Sequence, residues 1–407
     1  MAGGLGALLV SWCLLSFVPW LHDWLGGDVD FYENWGAWVA GHRLPYRDFA
    51  FEYPPGALPL FTLPVYLRKL AGYHGDYRFW FRVELLVVAA LVLVCVAVAL
   101  ARLGASRRRA WAALLLVGLG PLLVGPIALS RYDYLPALVA AAAVAALLSG
   151  RGVLSCALVA AGMAIKVWPG VLAPFALFEL WRRRGPRGVV EGLGAGVLVL
   201  AAGFAPYAAL GGHGLDWALV RQSERPLQVE SLGGGFVLAA EKLGDGLGRV
   251  VNSHGSDNVV GAWPDHVATL STIATVLAIL GIYALYLRGR PSAERLVAAC
   301  AAAVTAYVAF TKVFSPQYLV WLVPLVPLLG RRSGARASAL FVAILLLTQV
   351  WEPYRYHQLV TQVPGWLVAL VVVRNLLVLV LLGLLVAPLL ASERHAEQLD
   401  PARASAV

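Results

Sequence analysis

The residues able to do chemistry in this chain are few and fall in short stretches. The first, DVDFYENWGAWVAGHRLPYRDFAFEYPPG (28–56), carries Asp28, Asp30, Glu33, Glu52 and Tyr53. Next come SRYD (130–133), with Arg131 and Asp133, and KVW (166–168), with Lys166 and Trp168. Arg221, Glu224, Arg225, Gln228 and Glu230 follow, then TKVFSPQY (311–318), with Lys312, Gln317 and Tyr318, and WEPYRYHQ (351–358), with His357. Their mixed sign is the informative property. Arginine holds a phosphate through parallel hydrogen bonds and lysine holds it as a point charge. A carboxylate facing such cations suits a general base that takes a proton from an attacking hydroxyl. Lys166 and Lys312 each interrupt an apolar run and are two of only four lysines. Ionisable groups at membrane depth are costly and are functional candidates by default.

The rest of the chain must hold these groups at a membrane. Of 407 residues 60% are hydrophobic and 14% charged, with a mean hydropathy of +0.74. That leaves too little polar surface for a soluble protein of this size. Apolar runs near 3–22, 83–103, 110–129, 133–149, 152–166, 168–181, 188–210, 264–287, 295–311, 317–330, 337–352 and 364–391 read as twelve membrane spans, an all-α polytopic bundle. The runs 152–166 and 168–181 are short and nearly contiguous, so a hairpin that does not fully cross stays open. The first run has no basic segment before it and no small-residue cleavage site, which predicts a retained span. Residues 1–391 are expected to form one membrane domain and 392–407 a short disordered cytoplasmic tail. The cysteines 13, 95, 156 and 300 lie in apolar runs, against a disulfide framework or a thiolate metal site.

The net charge of +9 comes mostly from arginines clustered between apolar runs: RRRA after 106, WRRRGPR from 181, RGRPSAER from 288 and RRSGAR from 331. With the N-terminus inside, the inner loops hold fifteen basic residues against four in the short outer turns, as the positive-inside rule expects. An even number of spans puts both termini in the cytoplasm of a multi-pass plasma-membrane protein. No aromatic or groove-reading element accompanies the arginines, so nucleic acid is excluded as a partner. The polar stretches all fall on the outer side. Two outer segments are long, 23–82 and 211–263. In the first, Phe31, Trp35, Trp38 and Val39 recur at helical spacing, predicting an interfacial helix with aromatics toward lipid. Pro54 and Pro55 end any helix there. ALPLFTLPVYLRKL (57–70) is expected to return along the surface.

Plain structural roles compete at several positions. Charged loop residues are often only solvated, Arg131 and Asp133 suit an ion pair at a tight turn, His357 suits an interfacial histidine, and tryptophans at span ends suit belt anchors. Together, however, the polar groups predict a cavity opening outward, with carboxylates from the first loop among cations. Its joint demand is a phosphate leaving group and a hydroxyl nucleophile at a membrane surface. Sugar transfer from a polyprenyl-phosphate donor meets it.

The motifs DVDFY (28–32), LPYRDFAFEYPPG (44–56), RYDYLPAL (131–138), KVWPGVLAP (166–174) and FSPQYLVWLVP (314–324) carry a resemblance. The chain resembles the GT-C membrane glycosyltransferases, and within them glycosyltransferase family 87, which includes polyprenol-phosphate-mannose-dependent mannosyltransferases of actinobacterial lipid glycosylation. The resemblance implies a catalytic aspartate in the first outer loop four residues before a tyrosine. That tyrosine is Tyr32, which makes Asp28 the first choice and Asp30 the second. It also implies that the donor phosphate meets Lys166, Lys312 and the 221–225 stretch. The family's histidine does not map onto His357, whose role stays open, and no appended carbohydrate-binding domain of the kind some GT-C relatives carry is expected.

The expected reaction is an inverting transfer. Arg131, Lys166, Arg221, Arg225, Lys312 and His357 are the candidates for the phosphate. Glu52, Tyr53, Asp133, Trp168, Gln228, Glu230, Gln317 and Tyr318 are the candidates for sugar or acceptor. No cofactor is expected. Asp28 and Asp30 spell D-x-D, yet a phosphate leaving group needs no bridging divalent ion, so no metal is expected either. The expected partners are a polyprenyl-phosphate sugar donor, a glycolipid or glycan acceptor of the cell envelope, and membrane lipids. Mannose is the first choice of sugar and arabinofuranose the second. Richness in Ala, Val, Leu, Gly and Arg points to a high-GC actinobacterium. The rival reading is a transporter or flippase of a lipid-linked sugar, against which stand the missing inverted repeat and the one-sided placement of polar groups.

Overall fold

A computed structural model describes residues 1–18, 28–244 and 248–399. The end of the first expected span (19–22), the start of the first outer segment (23–27) and the end of the tail (400–407) lie outside the described residues. The architecture is an all-α polytopic membrane bundle. Among the described residues five helices are long and apolar enough to cross a bilayer: Tyr77–Arg102, Trp168–Leu210, Ala262–Arg288, Ala293–Phe310 and the stretch Gly365–Ala391. Other expected spans form shorter helices, such as Ala2–Phe17, Tyr134–Leu148 and Gly152–Ile165. At 1.5 Å per residue a helix of about 15 residues covers little more than 20 Å of a core about 30 Å thick.

The runs 168–181 and 188–210 fall, as expected, in two separate helices that meet at Gly185, whose φ of 63° is open to a residue without a Cβ; the chain reverses there, so that a Cβ at Gly192 would meet the Leu180 and Leu177 side chains. Two expectations change in detail. Residues 317–330 do not form a regular α-helix. They fold into 3-10 turns, Pro316–Leu322 and Val326–Leu328, with Pro324 and Pro327 removing backbone donors. This irregular backbone is buried throughout 318–330, the setting in which non-helical chain is tolerated at membrane depth. The last helix, Gly365–Leu399, continues past residue 391, where the tail was expected to begin.

Small residues bring helices together. Ala2–Phe17 packs on Arg107–Val124, where Gly4 and Gly118 face each other and the Ser11 hydroxyl donates to the Gly118 carbonyl at 3.1 Å. Some of the clustered arginines are anchors as well as topology signals. Arg109 reaches Glu294 at 2.7 Å, and Arg295, 3% exposed, donates to the Leu389 carbonyl at 2.6 Å.

The first long segment between spans, from 28 to 76, folds around two helices, Asp28–Ala40 and Leu58–Leu70, packed against each other. The face turned inward is Val29, Tyr32 and Gly36, one helical stripe away from the 31/35/38/39 stripe expected to face lipid. Phe31 is exposed, but Trp35 packs inward against Phe51 and Tyr53. Tyr32 stacks on Phe61 with centroids 4.3 Å apart and meets Phe81 and Tyr132 edgewise or tilted. Burying these rings together gains apolar area and favourable ring geometry, and it outweighs the lipid contact that Trp35 gives up.

The second long segment, 211–263, holds strands that the sequence reading did not foresee. β1 (Leu227–Gln228), β2 (Arg249–Ser253) and β3 (Ser256–Val260) form an antiparallel sheet in the order β1-β3-β2. His254 and Gly255 make the β2–β3 turn with φ of 52° and 68°. Two positive φ values in a two-residue loop match the right-handed twist of a hairpin. RVVNSHGSDNVV, β-branched residues around His-Gly, was the signal available.

A Cβ at Gly36 would run into the Phe61 carbonyl oxygen. The Gly36→Ala variant is therefore expected to lose about 1–3 kcal/mol by overpacking, read as a lowered melting temperature in lipid nanodiscs. An unchanged melting temperature would show that the two helices are free to separate there.

Candidate active site

All the polar stretches except 351–358 send residues to one cavity of about 530 Å³. Helix Asp28–Ala40 delivers Asp28 to it from its first residue, and the turn after helix Ile127–Ser130 delivers Arg131. Asp28 and Arg131 form an ion pair through Asp28 Oδ2, and the Tyr32 hydroxyl donates to the same oxygen at 3.5 Å. Because Tyr32 is held by the aromatic packing below, the helix cannot rotate Asp28 away without breaking that packing.

Lys166 occupies the break between helix Gly152–Ile165 and the 3-10 turn Trp168–Leu172. The Pro55–Ala57 turn seats itself against that helix end, where a Cβ at Gly56 would stand 2.6 Å from the Ala164 carbonyl oxygen. Lys166 donates to Asp133 Oδ1 at 2.7 Å, and Trp321 Nε1 donates to the same oxygen at 2.6 Å. The ammonium also lies over the rings of Tyr132, Tyr318 and Trp321, at 4.8, 5.5 and 5.4 Å from their centroids. Such contacts hold a cation best where water is excluded. Trp168 and Tyr318 stack on the two sides of this group through Trp321, with centroids at 4.6 and 4.1 Å.

Lys312 and Arg225 complete the cationic lining. Lys312 donates to the Ser223 carbonyl at 2.8 Å, and Arg225 lines the same cavity as Tyr318. Neither forms an ion pair among the described residues. Burial, and then the neighbouring charge of Arg225, holds the Lys312 ammonium below its ordinary value. The cavity wall thus carries four cations, Arg131, Lys166, Arg225 and Lys312, against the carboxylates Asp28 and Glu52. It has room and charge for an anion. Trp168 Nε1, the Arg225 Nε and His254 Nδ1 are buried polar atoms without a partner on this lining, a state that favours a polar ligand. Leu215, Leu219 and Val276 make an apolar side.

The remaining expected site residues divide. Glu52, Tyr53, Trp168, Gln317 and Tyr318 line the cavity with Asp28. Asp133 is fully buried behind it and positions Lys166. Arg221 does not line it but clamps Glu52 at 3.1 Å. Gln228 is buried in β1, and its backbone N–H donates to the Lys312 carbonyl at 2.9 Å. Asp30 stands outside the cavity, paired with Arg78 at 2.5 Å. With Asp28 on Arg131 and Asp30 on Arg78, the D-x-D carboxylates diverge. Among the described residues no three His, Cys, Asp or Glu side chains gather as a ligand set. His357 is exposed and away from the cavity, its carbonyl accepting from Thr361. Residues not singled out from sequence also line the site, chiefly Trp321, His254, Gln222 and Tyr307.

Glu230 belongs to a second polar cluster. Its carboxylate accepts from Trp351 Nε1 at 2.9 Å, and its carbonyl accepts from Arg374 at 2.9 Å and Asn375 at 3.1 Å. Arg374 lies in the last span, its guanidinium 3.9 Å from the Phe314 ring centroid. A lone arginine amid VVVRNLL was visible in the sequence as an ionisable residue in a span.

The family model of glycosyltransferase family 87 matches residues 51–316, about two thirds of the chain. The chain belongs to glycosyltransferase family 87. The match takes in Glu52, Arg131, Lys166, Arg225 and Lys312, while Asp28 precedes it. No curated protein matches the chain. A member of family 87 is a glycosyltransferase and requires a sugar donor and an acceptor, so the cavity is the candidate active site and the transporter reading falls away.

Two predictions follow from its electrostatics. Removing one partner of a buried ion pair leaves an uncompensated charge, so Lys166→Met is expected to cost about 3–5 kcal/mol. The double variant Lys166→Met/Asp133→Leu should recover much of that loss in a thermal-unfolding cycle, and additive losses would show that the pair is not coupled. The second concerns pH. Burial pushes the Glu230 and Glu352 carboxyls up, Glu352 further through the charge of Glu230, and Arg374 pulls both down less strongly. Each carboxyl binds its proton more tightly folded than unfolded, so its stabilisation is complete below the ordinary value of 4.5 and is lost as pH rises through the raised one. Melting temperature is expected to fall between pH 4.5 and neutrality or just above, and Glu352→Gln should flatten that slope.

Proposed function

We propose that this family 87 enzyme is an inverting glycosyltransferase using a polyprenyl-phosphate-linked sugar, mannose first and arabinofuranose second. The acceptor is a hydroxyl of a lipid or cell-envelope glycan at the outer face of an actinobacterial plasma membrane. One observation carries the reading: a single cavity sets Asp28 among four cations beside an apolar side. The donor phosphate binds Arg225 and Lys312, the two cations without an ion pair, with Lys166 and Arg131 beside them. The prenyl chain lies along Leu215, Leu219 and Val276. The sugar ring packs near Trp168 and Tyr318.

Asp28 accepts the proton of the acceptor hydroxyl as its oxygen attacks the anomeric carbon. The bond from that carbon to the phosphate oxygen breaks with its electron pair going to phosphate, and polyprenyl phosphate leaves. Phosphate is a good leaving group, so fixed cations meet the developing charge and no general acid is required. In this reading they do so without a divalent metal. Arg131 orients the Asp28 carboxylate, and the diverging Asp30 takes no part.

The test uses protein in nanodiscs, polyprenyl-phospho-mannose and polyprenyl-phospho-arabinofuranose, and a membrane-extract acceptor. Asp28→Asn is expected to lower transfer by about 10²–10⁴-fold, the usual worth of a general base, with donor binding and fold retained and with activity unchanged by a chelator. Full activity in Asp28→Asn, or loss in Asp30→Asn instead, would move the base. No turnover of either donor by the native protein would overturn the donor class.

A further inference from the structure

The β2–β3 hairpin reaches from the segment 211–263 to the cavity, and its turn residues His254 and Gly255 are part of the lining. His254 Nδ1 is buried and has no hydrogen-bond partner. Such an orphan costs about 1–3 kcal/mol when nothing satisfies it. The backbone there is also unfavourable, because φ is 52° at a residue with a side chain. A hairpin turn made of Asn-Gly or Gly-Gly would avoid both costs. An imidazole is therefore kept at this place at some expense.

Glu52 lines the same cavity, facing the next turn residue, Gly255. One carboxylate oxygen of Glu52 is fixed by Arg221 Nε at 3.1 Å, and Gln222 Nε2 holds the Glu52 carbonyl at 3.1 Å. The other oxygen, Oε2, faces the hairpin, 3.8 Å from where a Cβ on Gly255 would stand. Gly255 has φ of 68° and leaves that gap open. So a rigid acceptor oxygen and the His254 ring, whose Nδ1 has no partner among the described residues, both belong to the lining of one cavity. Arg131, Lys166 and Lys312 come from other segments, and Arg225 from the stretch just before β1.

We propose that His254 and Glu52 form a subsite for the hydroxyls of a sugar ring, with Gly255 providing the space. The assignment deepens the function proposed above and rests on it. A carboxylate accepts hydrogen bonds from hydroxyls, whereas imidazole donates from one nitrogen and accepts at the other. That pairing suits a neutral polyhydroxylated ligand and is unsuited to phosphate, which the Glu52 charge repels.

The experiment uses full-length protein in nanodiscs. Methyl α-D-mannopyranoside, methyl α-D-arabinofuranoside and inorganic phosphate are titrated by tryptophan fluorescence, and transfer is measured alongside hydrolysis of the donor in the absence of acceptor. His254→Gly removes the imidazole yet keeps the positive φ, and His254→Asn keeps the φ and a polar group. His254→Gly is expected to weaken binding of a methyl glycoside by about tenfold, the worth of one hydrogen bond, with His254→Asn recovering part and phosphate affinity unchanged. A raised acceptor KM with donor hydrolysis unaltered assigns the subsite to the acceptor sugar, and slowed donor hydrolysis assigns it to the donor sugar. Glycoside affinity unchanged in His254→Gly, or lost together with phosphate affinity, overturns the subsite, as does absence of glycoside binding by the native protein. Glycoside binding that depends on His254, without turnover of either polyprenyl donor, overturns the donor assignment while the subsite holds.

Discussion

The site depends on one buried contact, the Asp133 carboxylate that accepts from both Lys166 and Trp321. Taking an ammonium out of water costs several kcal/mol unless an opposite charge and further contacts compensate it. Here the compensation comes from three separate parts of the chain. The 131–133 turn supplies Asp133, the helix break at 166 supplies the cation, and the irregular 316–328 segment supplies Trp321. Tying them together leaves the neighbours no freedom. Trp168 and Tyr318 stack on Trp321. These parts of the chain are thereby fixed around one space.

The catalytic candidate is placed by different physics. Asp28 sits on a surface helix whose position is set by ring packing. Tyr32 is wedged among Phe61, Phe81, Tyr53 and Tyr132, and Gly36 lets the partner helix come close. The bond between Asp28 and Arg131 then connects this helix to the Asp133 turn two residues further on. An aromatic cluster and a buried ion pair thus meet at adjacent residues 131, 132 and 133. Charge complementarity in such a corner is worth more than on an open surface because water does not screen it.

The segment 211–263 closes the arrangement through backbone pairing. β1 hydrogen-bonds the Lys312 carbonyl on one edge and β3 on the other, and the hairpin lays Gly255 beside Glu52. Helix Gly214–Ser223 contributes Arg221 and Gln222 to the same corner. A rigid scaffold holding loops that carry the polar groups is the common division of labour in binding sites.

By itself the amino-acid sequence determined the class and the inventory. Apolar runs and clustered arginines imply a polytopic membrane protein, because burial in lipid and the cost of moving charge across it act on any arrangement of those residues. The motifs around Asp28, Arg131, Lys166 and Lys312 were likewise legible as a polar set, since charges in so apolar a chain stand out. Only the tertiary structure decided which of them share a space. It separates Asp28 from Asp30 although they are two residues apart, since successive helix positions point about 100° apart and only one faces the cavity. It turns Tyr32 rather than Phe31 inward, puts Asp133 behind Lys166, sends His357 elsewhere and brings His254 in on a hairpin. Those outcomes depend on packing between distant segments, whose energies are long-range and carry no local sequence period.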